Sequence, residues 1–405
     1  MSENRTFLPY GRQWIGDDDV AAVAAVLHSD FLTTGPTVGA FEAGLRERVG
    51  AAGIVACSSG TAALHLAYLA LDIGPGDVVI VPAITFMATA NAAALAGADV
   101  VFADVDADTG LLTIESLGRA MTRAETIGRV RAVAPVHLNG LCAPMAEIGD
   151  FAREHGLLVV EDACHALGST IEENGIDVPV GACSHSDAAV FSFHPVKTIA
   201  MGEGGAVAMR DVGRLELVRR LSSHGITRDA MTFERLDLAR AADDGVNPWY
   251  HEMQNLGLNY RASDIHCALG LSQLGKFDDF AARRRALVAR YRDALAPLAP
   301  HVRPVPAAPK QDPVWHLMPV LIDFDAAGTD RKTVMDRLRH EGIGTQVHYI
   351  PVPWQPYWAA RVQTPELPGA KRYYERVLSL PLFAQMESAD VDRVVSSLTR
   401  AVTKA

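Results

Sequence analysis

Leu158-Val159-Val160-Glu161-Asp162 is an apolar run that ends in two acids, and it indicates the fold more directly than any other stretch. A continuous apolar run, rather than an alternating one, is typical of a strand buried on both faces of a parallel sheet. Ligands of such sheets bind beyond the carboxyl ends of the strands. We therefore expect Asp162 to lie at the ligand-binding edge of a sheet.

Similar short apolar runs recur through roughly the first 250 residues, with helical patterns between them. The runs lie at 54–56, 78–81, 100–102, 132–134, 157–160 and 188–191, and helical patterns lie at 60–67 and 88–95. Strands that alternate with helices predict an α/β fold in which helices cover both faces of a mostly parallel sheet.

The sequence changes character after Arg261. Helical patterns at 263–274 and 277–295 are followed by proline-rich sequence, a strand pattern at 317–322 and a helix at 389–401. Arg283-Arg284-Arg285 is expected in solvent, and Pro319 suits an edge strand. We predict a large domain at 1–260, with an N-terminal arm, and a small C-terminal domain at 261–405.

The composition limits the classes of function. The chain has 405 residues, of which 49% are hydrophobic and 21% charged, as in folded globular proteins. A net charge of −11 argues against a nucleic-acid-binding protein. Five cysteines do not suggest a disulfide framework, Met1–Arg5 lacks an apolar signal region, and no apolar run is long enough to span a membrane. We therefore expect a cytoplasmic protein.

Lys197 lies downstream of Asp162, at the end of Phe191-Ser192-Phe193-His194-Pro195-Val196-Lys197. Pyridoxal 5′-phosphate (PLP) chemistry requires this pair of groups, because an amine attaches to the cofactor's aldehyde while a carboxylate keeps its pyridine nitrogen protonated. Burial beside a pyridinium would lower the pKa of the lysine and make it more nucleophilic. Taken singly, Asp162 fits a strand-end acid and Lys197 a surface lysine.

Ser58-Ser59-Gly60-Thr61-Ala62-Ala63 opens a helix directly after a short strand. Small residues at a helix N-terminus allow backbone N–H groups to bind a phosphate. A plain N-cap by Ser59 explains the same pattern. Ser192 adds a hydroxyl to this phosphate site or is an ordinary strand serine.

Two further side chains are candidates for contacts to the cofactor ring. Phe86 follows the run that begins at 78 and is placed to stack on a pyridine ring, although a core phenylalanine has the same pattern. His165 is placed to hydrogen-bond the cofactor's phenolic oxygen, or it is satisfied within the fold.

Two other motifs are weaker. Cys164-His165 with Cys183 and His185 allows a zinc site, but no C-x-x-C accompanies them. Gly202-Glu203-Gly204-Gly205 precedes a strand and lacks the G-x-G-x-x-G spacing, so a tight turn beside the cofactor is favoured over a dinucleotide site.

Over nearly its whole length the sequence resembles the DegT/DnrJ/StrS family of PLP-dependent nucleotide-sugar aminotransferases. The resemblance rests on five motifs, at 58–64, 161–168, 192–197, 202–205 and 259–265. It implies a fold-type-I PLP enzyme, with a mostly parallel seven-stranded sheet sandwiched by helices and a smaller α+β C-terminal domain. Where the family often has arginine or asparagine, this chain has Ser222.

The resemblance also implies roles for individual residues. Lys197 and Asp162 are the implied catalytic residues, and no metal is implied. The implied cofactor-binding residues are Gly60, Thr61, Ala62, Phe86, Asp162, His165, Ser192, Lys197 and, from the neighbouring subunit of a homodimer with shared active sites, Asn259. The implied substrate-binding residues are Tyr10, Arg12, Arg261, His348 and Tyr349.

Within the family, the motifs at 9–13, 29–36, 223–229 and 346–352 are similar to those of the pseudaminic acid branch. This implies transfer of an amino group from L-glutamate to C4 of a UDP-linked 4-keto-6-deoxy-N-acetylhexosamine. Aminotransferases of perosamine or bacillosamine type share the scaffold and stay open as alternatives. A related sugar dehydratase would have histidine at position 197, and a non-catalytic regulator would not need the lysine–acid pair.

Overall fold

The structure is a computed structural model that describes residues 7–362 and 366–403. Met1–Arg5, on which the expectation of no secretory signal rests, lies outside these residues. Within the described ranges, no helix is long and apolar enough to cross a membrane.

Strands lie on each of the predicted apolar runs, and further short strands lie outside them. They are β1 (Gly53–Cys57), β2 (Asp77–Pro82), β3 (Asp99–Ala103), β4 (Arg129–Val133), β5 (Leu158–Asp162), β6 (Thr170–Glu173), β7 (Ile176–Pro179), β8 (Ala188–Ser192), β9 (Gly205–Met209), β10 (Ile226–Thr227), β11 (Glu252–Met253), β12 (Val302–Pro304), β13 (Gln311–Asp312), β14 (Met318–Ile322) and β15 (Val377–Leu380).

The helices occupy the segments between them. They are α1 (Asp17–Leu27), α2 (Pro36–Val49), α3 (Gly60–Ala70), α4 (Ala88–Leu95), α5 (Ile114–Ala124), α6 (Met145–His155), α7 (Val212–Leu221), α8 (Leu236–Ala239), α9 (Asp264–Gly275), α10 (Phe277–Leu295), α11 (Arg331–His340), α12 (Pro356–Ala359), α13 (Pro368–Arg376) and α14 (Ser388–Val402).

A seven-stranded sheet forms the centre of the molecule, in the order β1-β9-β8-β5-β4-β2-β3. The pairs from β8 to β3 are parallel, whereas β9 runs antiparallel to β8 and β1. Side chains of β2 alternate between two apolar clusters, with Val79 in the cluster that contains α3 and Ile80 in the cluster that contains α5 and α6. Helices thus cover both faces, which confirms the predicted α/β class with a mostly parallel sheet.

A smaller three-stranded antiparallel sheet, β12-β14-β15, lies in the C-terminal part of the chain. The prediction that Pro319 marks an edge strand is wrong, because β14 is the central strand. Opposite Pro319, the N–H and C=O groups of Ser379 both bond to Gln346 instead. The backbone of Pro319 faces the other side, where its carbonyl accepts the N–H of Val305. The carbonyl of Val305 accepts Nη2 of Arg292 in place of the N–H that proline lacks, so the proline is tolerated inside the sheet.

The expected solvent exposure of Arg283-Arg284-Arg285 is also wrong in its central residue. Arg284 is 1% exposed and donates hydrogen bonds from Nη1 to the carbonyl oxygens of Trp315, His316 and Leu382. Burial lowers the pKa of this guanidinium to about 10. A buried arginine on α10 therefore holds two separate stretches of C-terminal backbone in place.

The division of the chain at 260/261 stays a prediction. The described N-terminal residues pack on the C-terminal part, because Leu8 donates to the carbonyl of Gly342 and accepts from the N–H of Gly344. Helix α9 packs against α1 and α2, on the other side of the predicted boundary.

Candidate active site

A cavity of about 470 Å³ opens at the carboxyl ends of the parallel strands. Asp162 ends β5 and Ser192 ends β8, so the sheet topology brings both residues to one edge. Many of the sequence-predicted residues line this cavity. They are Tyr10, Gly60, Thr61, Phe86, Asp162, His165, Ser192, Lys197, His348 and Tyr349.

Lys197 lies in the loop after β8 and is half-buried. Desolvation lowers the pKa of its ammonium group, and the nearby Cys164 and Asp162 partly offset this shift. Within the described part of the chain, no hydrogen bond or ion pair holds Nζ. A lysine in this state has more free amine near neutral pH than a surface lysine, as a nucleophile requires.

Asp162 is 5% exposed and accepts two hydrogen bonds. Its Oδ1 atom accepts the N–H of Cys164 at 3.2 Å, and its Oδ2 atom accepts the hydroxyl of Thr89 at 2.7 Å. No ion pair involves this carboxylate in the described ranges. Because a buried charge is costly without a partner, a ligand with a cationic nitrogen suits the position.

The N-terminus of α3 offers two unused donors to the same cavity. Ser59 caps the helix, since its Oγ atom accepts the N–H of Ala62 at 3.1 Å. The N–H groups of Gly60 and Thr61 have no acceptor among the described residues, and both residues line the cavity. An anion is favoured at such a helix end. Ala62 does not line the cavity, and its N–H is already used by the cap.

Gly205 allows this helix end to sit tightly against β9. A Cβ atom at Gly205 would lie 2.3 Å from the carbonyl oxygen of Ser59, and one at Gly60 would lie 2.9 Å from the Cβ atom of Ser192. Both distances are too short for any other residue without movement of the backbone or of Ser192. The glycine-rich turn predicted at 202–205 therefore serves close backbone approach as well as chain reversal.

Gly205→Ala is expected to destabilise the protein by about 1–3 kcal/mol, because the added methyl group must displace the backbone at Ser59. The control is Gly39→Ala in α2, where a Cβ atom would meet nothing within 4 Å. That variant should be neutral or about 0.5–1 kcal/mol more stable. Chemical denaturation of both variants measures the difference, and equal stabilities would contradict the packing argument.

Aromatic side chains form one wall of the cavity. Phe86 lies in the turn between β2 and α4, beyond the end of the strand, and is 51% exposed. Its ring centroid is 6.0 Å from that of Tyr349, and the rings of Tyr10 and His348 are 5.5 Å apart. An exposed aromatic ring facing a cavity is suited to stack on a planar ligand.

His165 is held by hydrogen bonds at both ring nitrogens. The N–H of Asn139 donates to Nδ1 at 3.3 Å, and Nε2 lies 3.2 Å from the hydroxyl of Tyr349. Burial and the positive charge of Lys197 lower the pKa of His165 well below its usual value, so the ring is neutral. With Nδ1 accepting, Nε2 carries the proton and donates to Tyr349.

This arrangement leaves the hydroxyl hydrogen of Tyr349 free to donate. Burial raises the pKa of Tyr349 well above its ordinary value, so the phenol keeps that hydrogen. The direct contact predicted for His165 thus competes with a bond inside the protein, and Tyr349 is the donor that faces the cavity. His348 is neutral as well, because burial and Lys197 lower its pKa to about 3, and its Nδ1 atom lies 2.9 Å from the hydroxyl of Ser379.

Three other predicted residues do not line the cavity. Arg12 is exposed and borders a small neighbouring cavity that also touches Lys197. Arg261 donates to the hydroxyl of Ser223 at 3.0 Å. Asn259 is exposed, and the role implied for it requires a second chain.

The residues of the zinc alternative bond to other groups. Nε2 of His185 lies 2.8 Å from a carboxylate oxygen of Glu173, and the thiol of Cys183 contacts the carbonyls of Gly181 and Ala208. Across residues 7–362 and 366–403, no group of three or more His, Cys, Asp or Glu side chains is arranged to hold a metal ion.

The sequence analysis missed several residues of the site. Thr85, in the turn before α4, and Thr89, in the first turn of α4, are spaced four apart and form a hydroxyl pair next to Asp162. His316 is buried with its ring 4.5 Å from that of His165. The threonine spacing is a signal that the sequence contains, whereas nothing in the sequence singles out His316.

Together these groups fit PLP. The cavity presents a half-buried amine, a buried carboxylate that forms no ion pair with the described residues, two N–H donors without an acceptor among those residues, and an exposed aromatic ring. They match the cofactor's aldehyde, pyridine nitrogen, phosphate and ring face in turn.

Comparison with known proteins agrees with this chemistry. Residues 13–399 match the model of the DegT/DnrJ/EryC1/StrS aminotransferase family. Helicobacter pylori PseC, an aminotransferase involved in the biosynthesis of pseudoaminic acid, is 27% identical with a TM-score of 0.85, over 98% of this chain and 99% of that one.

Two further solved structures are similarly close. S. venezuelae DesV, in complex with a ketimine intermediate, is 31% identical with a TM-score of 0.84, over 99% of this chain and 100% of that one. DesI, in the presence of its TDP-sugar product, is 31% identical with a TM-score of 0.84, over 100% of this chain and 94% of that one. The chain belongs to the DegT/DnrJ/EryC1/StrS aminotransferase family and is a PLP-dependent sugar aminotransferase.

Proposed function

We propose that the enzyme transfers the amino group of L-glutamate to C4 of a UDP-linked 4-keto-6-deoxy-N-acetylhexosamine, in the biosynthesis of pseudaminic acid-type surface sugars. The observation that carries the proposal is the single cavity that brings Lys197, Asp162 and the start of α3 together. The choice of sugar is supported by the motifs shared with the pseudaminic acid branch and by the similarity to PseC.

We assign the cofactor contacts to residues of this cavity. Lys197 would hold the aldehyde carbon, and Asp162 the pyridine nitrogen. The N–H groups of Gly60 and Thr61, with the hydroxyl of Ser192, would bind the phosphate. When bound, PLP withdraws the electrons left on the donor's α-carbon when that carbon loses its proton.

Lys197 moves the proton in both half-reactions of a ping-pong cycle. Once glutamate has displaced it, the free amine takes the proton from the donor's α-carbon as a general base. In the second half-reaction it would carry a proton from the amine-bearing carbon of the cofactor to C4 of the keto sugar. The lowered pKa of Lys197 suits both roles, because it makes the free amine available as a base and the ammonium form a stronger acid.

His165 is proposed to position Tyr349 as a donor toward the ligands in the cavity. His165→Asn keeps an acceptor near the N–H of Asn139 but cannot reach Tyr349, whereas His165→Gln extends an amide donor to it. We expect kcat to fall about tenfold or more in His165→Asn and in Tyr349→Phe, and less in His165→Gln. Steady-state kinetics at fixed pH measures kcat for each variant. An equal loss of kcat in His165→Asn and His165→Gln would contradict the proposed role of His165.

A panel of keto sugars tests the substrate. The enzyme is first converted to its pyridoxamine form with glutamate and then mixed with UDP-, dTDP- or GDP-linked 4-keto sugars. The proposal predicts the fastest return of the PLP absorbance with the UDP-linked N-acetylated sugar. The dTDP-linked sugar is included because DesI, which is 31% identical, was solved with a TDP-sugar product. If the PLP absorbance returned fastest with that sugar, the proposed substrate would be wrong.

We further propose a homodimer in which Asn259 reaches the phosphate in the partner's active site. Asn259 is exposed, and in the preceding segment Met231, Trp249 and Leu256 expose large apolar side chains, as an interface requires. Mixing Lys197→Ala with Asn259→Ala subunits tests the sharing. If the active sites are shared, the mixture should regain activity, because one of the two sites in each mixed dimer has both Lys197 and Asn259 intact.

A cytoplasmic location completes the proposal. All five cysteines are free thiols, and four of them are buried. Unpaired thiols are typical of a reducing compartment.

A further inference from the structure

Two threonines form hydrogen bonds next to Asp162, of which Thr85 lines the cavity and Thr89 does not. Thr89, in the first turn of α4, is 0% exposed, and its hydroxyl oxygen lies 2.7 Å from Oδ2 of Asp162. The hydroxyl of Thr85 lies 2.7 Å from that of Thr89 and is buried too. The three side chains form one hydrogen-bonded row that ends at the carboxylate.

The direction of the hydrogen bonds in this row follows from the chemistry of the groups. The single hydroxyl hydrogen of Thr89 has two acceptors in reach, Oδ2 of Asp162 at 2.7 Å and the carbonyl oxygen of Phe86 at 3.2 Å. The carboxylate is the shorter and charged acceptor, and the carbonyl already accepts the N–H of Thr89. Thr89 therefore donates to Asp162, and Thr85 must donate to Thr89.

The row is anchored in the elements that build the cofactor site. Tyr68, fully buried on α3, donates its hydroxyl to the carbonyl of Thr89 at 3.3 Å. The N–H of Cys164 donates to the other carboxylate oxygen of Asp162 at 3.2 Å. Each oxygen thus has one fixed donor, which sets the plane of the carboxylate and leaves further lone pairs for a ligand.

We propose that Thr89, polarised by Thr85, is a positioning residue that fixes the plane of the Asp162 carboxylate and donates a hydrogen bond to its charged form. A donor to the charged form stabilises the carboxylate as an anion, so the shared proton stays on the ring nitrogen of the bound cofactor. The electron-accepting power of the ring depends on that proton. The inference rests on the proposed contact between Asp162 and the pyridine nitrogen.

Three variants separate the parts of the row. Thr89→Val removes the donor at nearly constant shape, Thr89→Ser restores a hydroxyl, and Thr85→Val removes the polarising bond at nearly constant shape of the cavity wall. The readout is the ¹⁵N NMR signal of PLP labelled at its ring nitrogen, measured in the bound, resting enzyme across a pH series.

We expect Thr89→Val to move the ring-nitrogen signal toward the unprotonated position and to lower kcat about tenfold to a hundredfold, the range expected for a lost hydrogen bond to a charged group. Thr85→Val should change the ring-nitrogen signal and kcat in the same direction but by less. Thr89→Ser should return the signal and kcat toward their wild-type values. An unchanged ring-nitrogen signal in Thr89→Val would overturn the inference.

Two controls separate the possible failures. Melting of the cofactor-free protein reports a merely structural role, which would lower its stability without moving the NMR signal. Asp162→Asn tests the contact on which the inference rests. If that variant leaves the ring-nitrogen signal unchanged, the Asp162 assignment fails. If it moves the signal and Thr89→Val does not, the threonine inference fails while the assignment of Asp162 stands.

Discussion

Lys197→Ala is expected to lower turnover by about 10⁴-fold or more, because it removes both the cofactor attachment and the group that moves the proton. The matched variant Lys197→Arg keeps the positive charge but has no free amine to react, so it should be equally inactive. Lys371→Ala, at an exposed position on α13, serves as the surface control and should be fully active. Stopped-flow measurement of the first half-reaction with glutamate gives the rates.

The arginine variant distinguishes two accounts of Lys197. If the lysine only supplied positive charge to the cavity, Lys197→Arg would retain much of the activity. Retention of more than about a tenth of the wild-type rate in Lys197→Ala or Lys197→Arg would contradict the proposed roles of the amine.

Asp162→Asn is expected to lower turnover by about 10²- to 4 × 10³-fold, the range that follows from about 3–5 kcal/mol for removing one partner of a buried charge pair. The amide offers the ring nitrogen a donor in place of an acceptor, so the nitrogen loses its proton. Asp162→Glu keeps the charge on a longer side chain and should lose less.

The Asp162→Asn variant also tests the effect of Asp162 on the pKa of Lys197. Asp162 raises the pKa of the lysine, so its removal should lower that pKa further and leave more free amine. The defect of Asp162→Asn should therefore lie in the α-proton step and not in cofactor attachment. A wild-type rate, or loss of the attached cofactor, would contradict the assignment of Asp162.

The large sheet was predictable because its strands are buried on both faces and their sequences are correspondingly apolar. β5 and β8 lie where the runs at 157–160 and 188–191 indicate. The errors concern residues whose role is set by distant partners. Pro319 is tolerated in a central strand because Arg292 bonds to the carbonyl of Val305, which the missing N–H would face. Arg284 is buried because three backbone carbonyls accept its hydrogen bonds.

The lining of the cavity was predictable where one local motif supplies it, as with Lys197, Asp162 and the start of α3. The supporting residues were not, because their function depends on contacts between elements. Thr89 matters through its bond to β5, and the orientation of His165 depends on the N–H of Asn139. A hydrogen bond from a backbone N–H does not depend on the residue type of the donor, so the sequence does not reveal it.

Reduction with borohydride tests the central claim most directly. The reagent converts the link between a lysine amine and the PLP aldehyde into a stable bond, and peptide mapping by mass spectrometry then locates the cofactor. The account predicts one modified site, in the peptide that contains Lys197, and none in Lys197→Ala. Cofactor trapped on another lysine, or none trapped in the active wild-type enzyme, would contradict it.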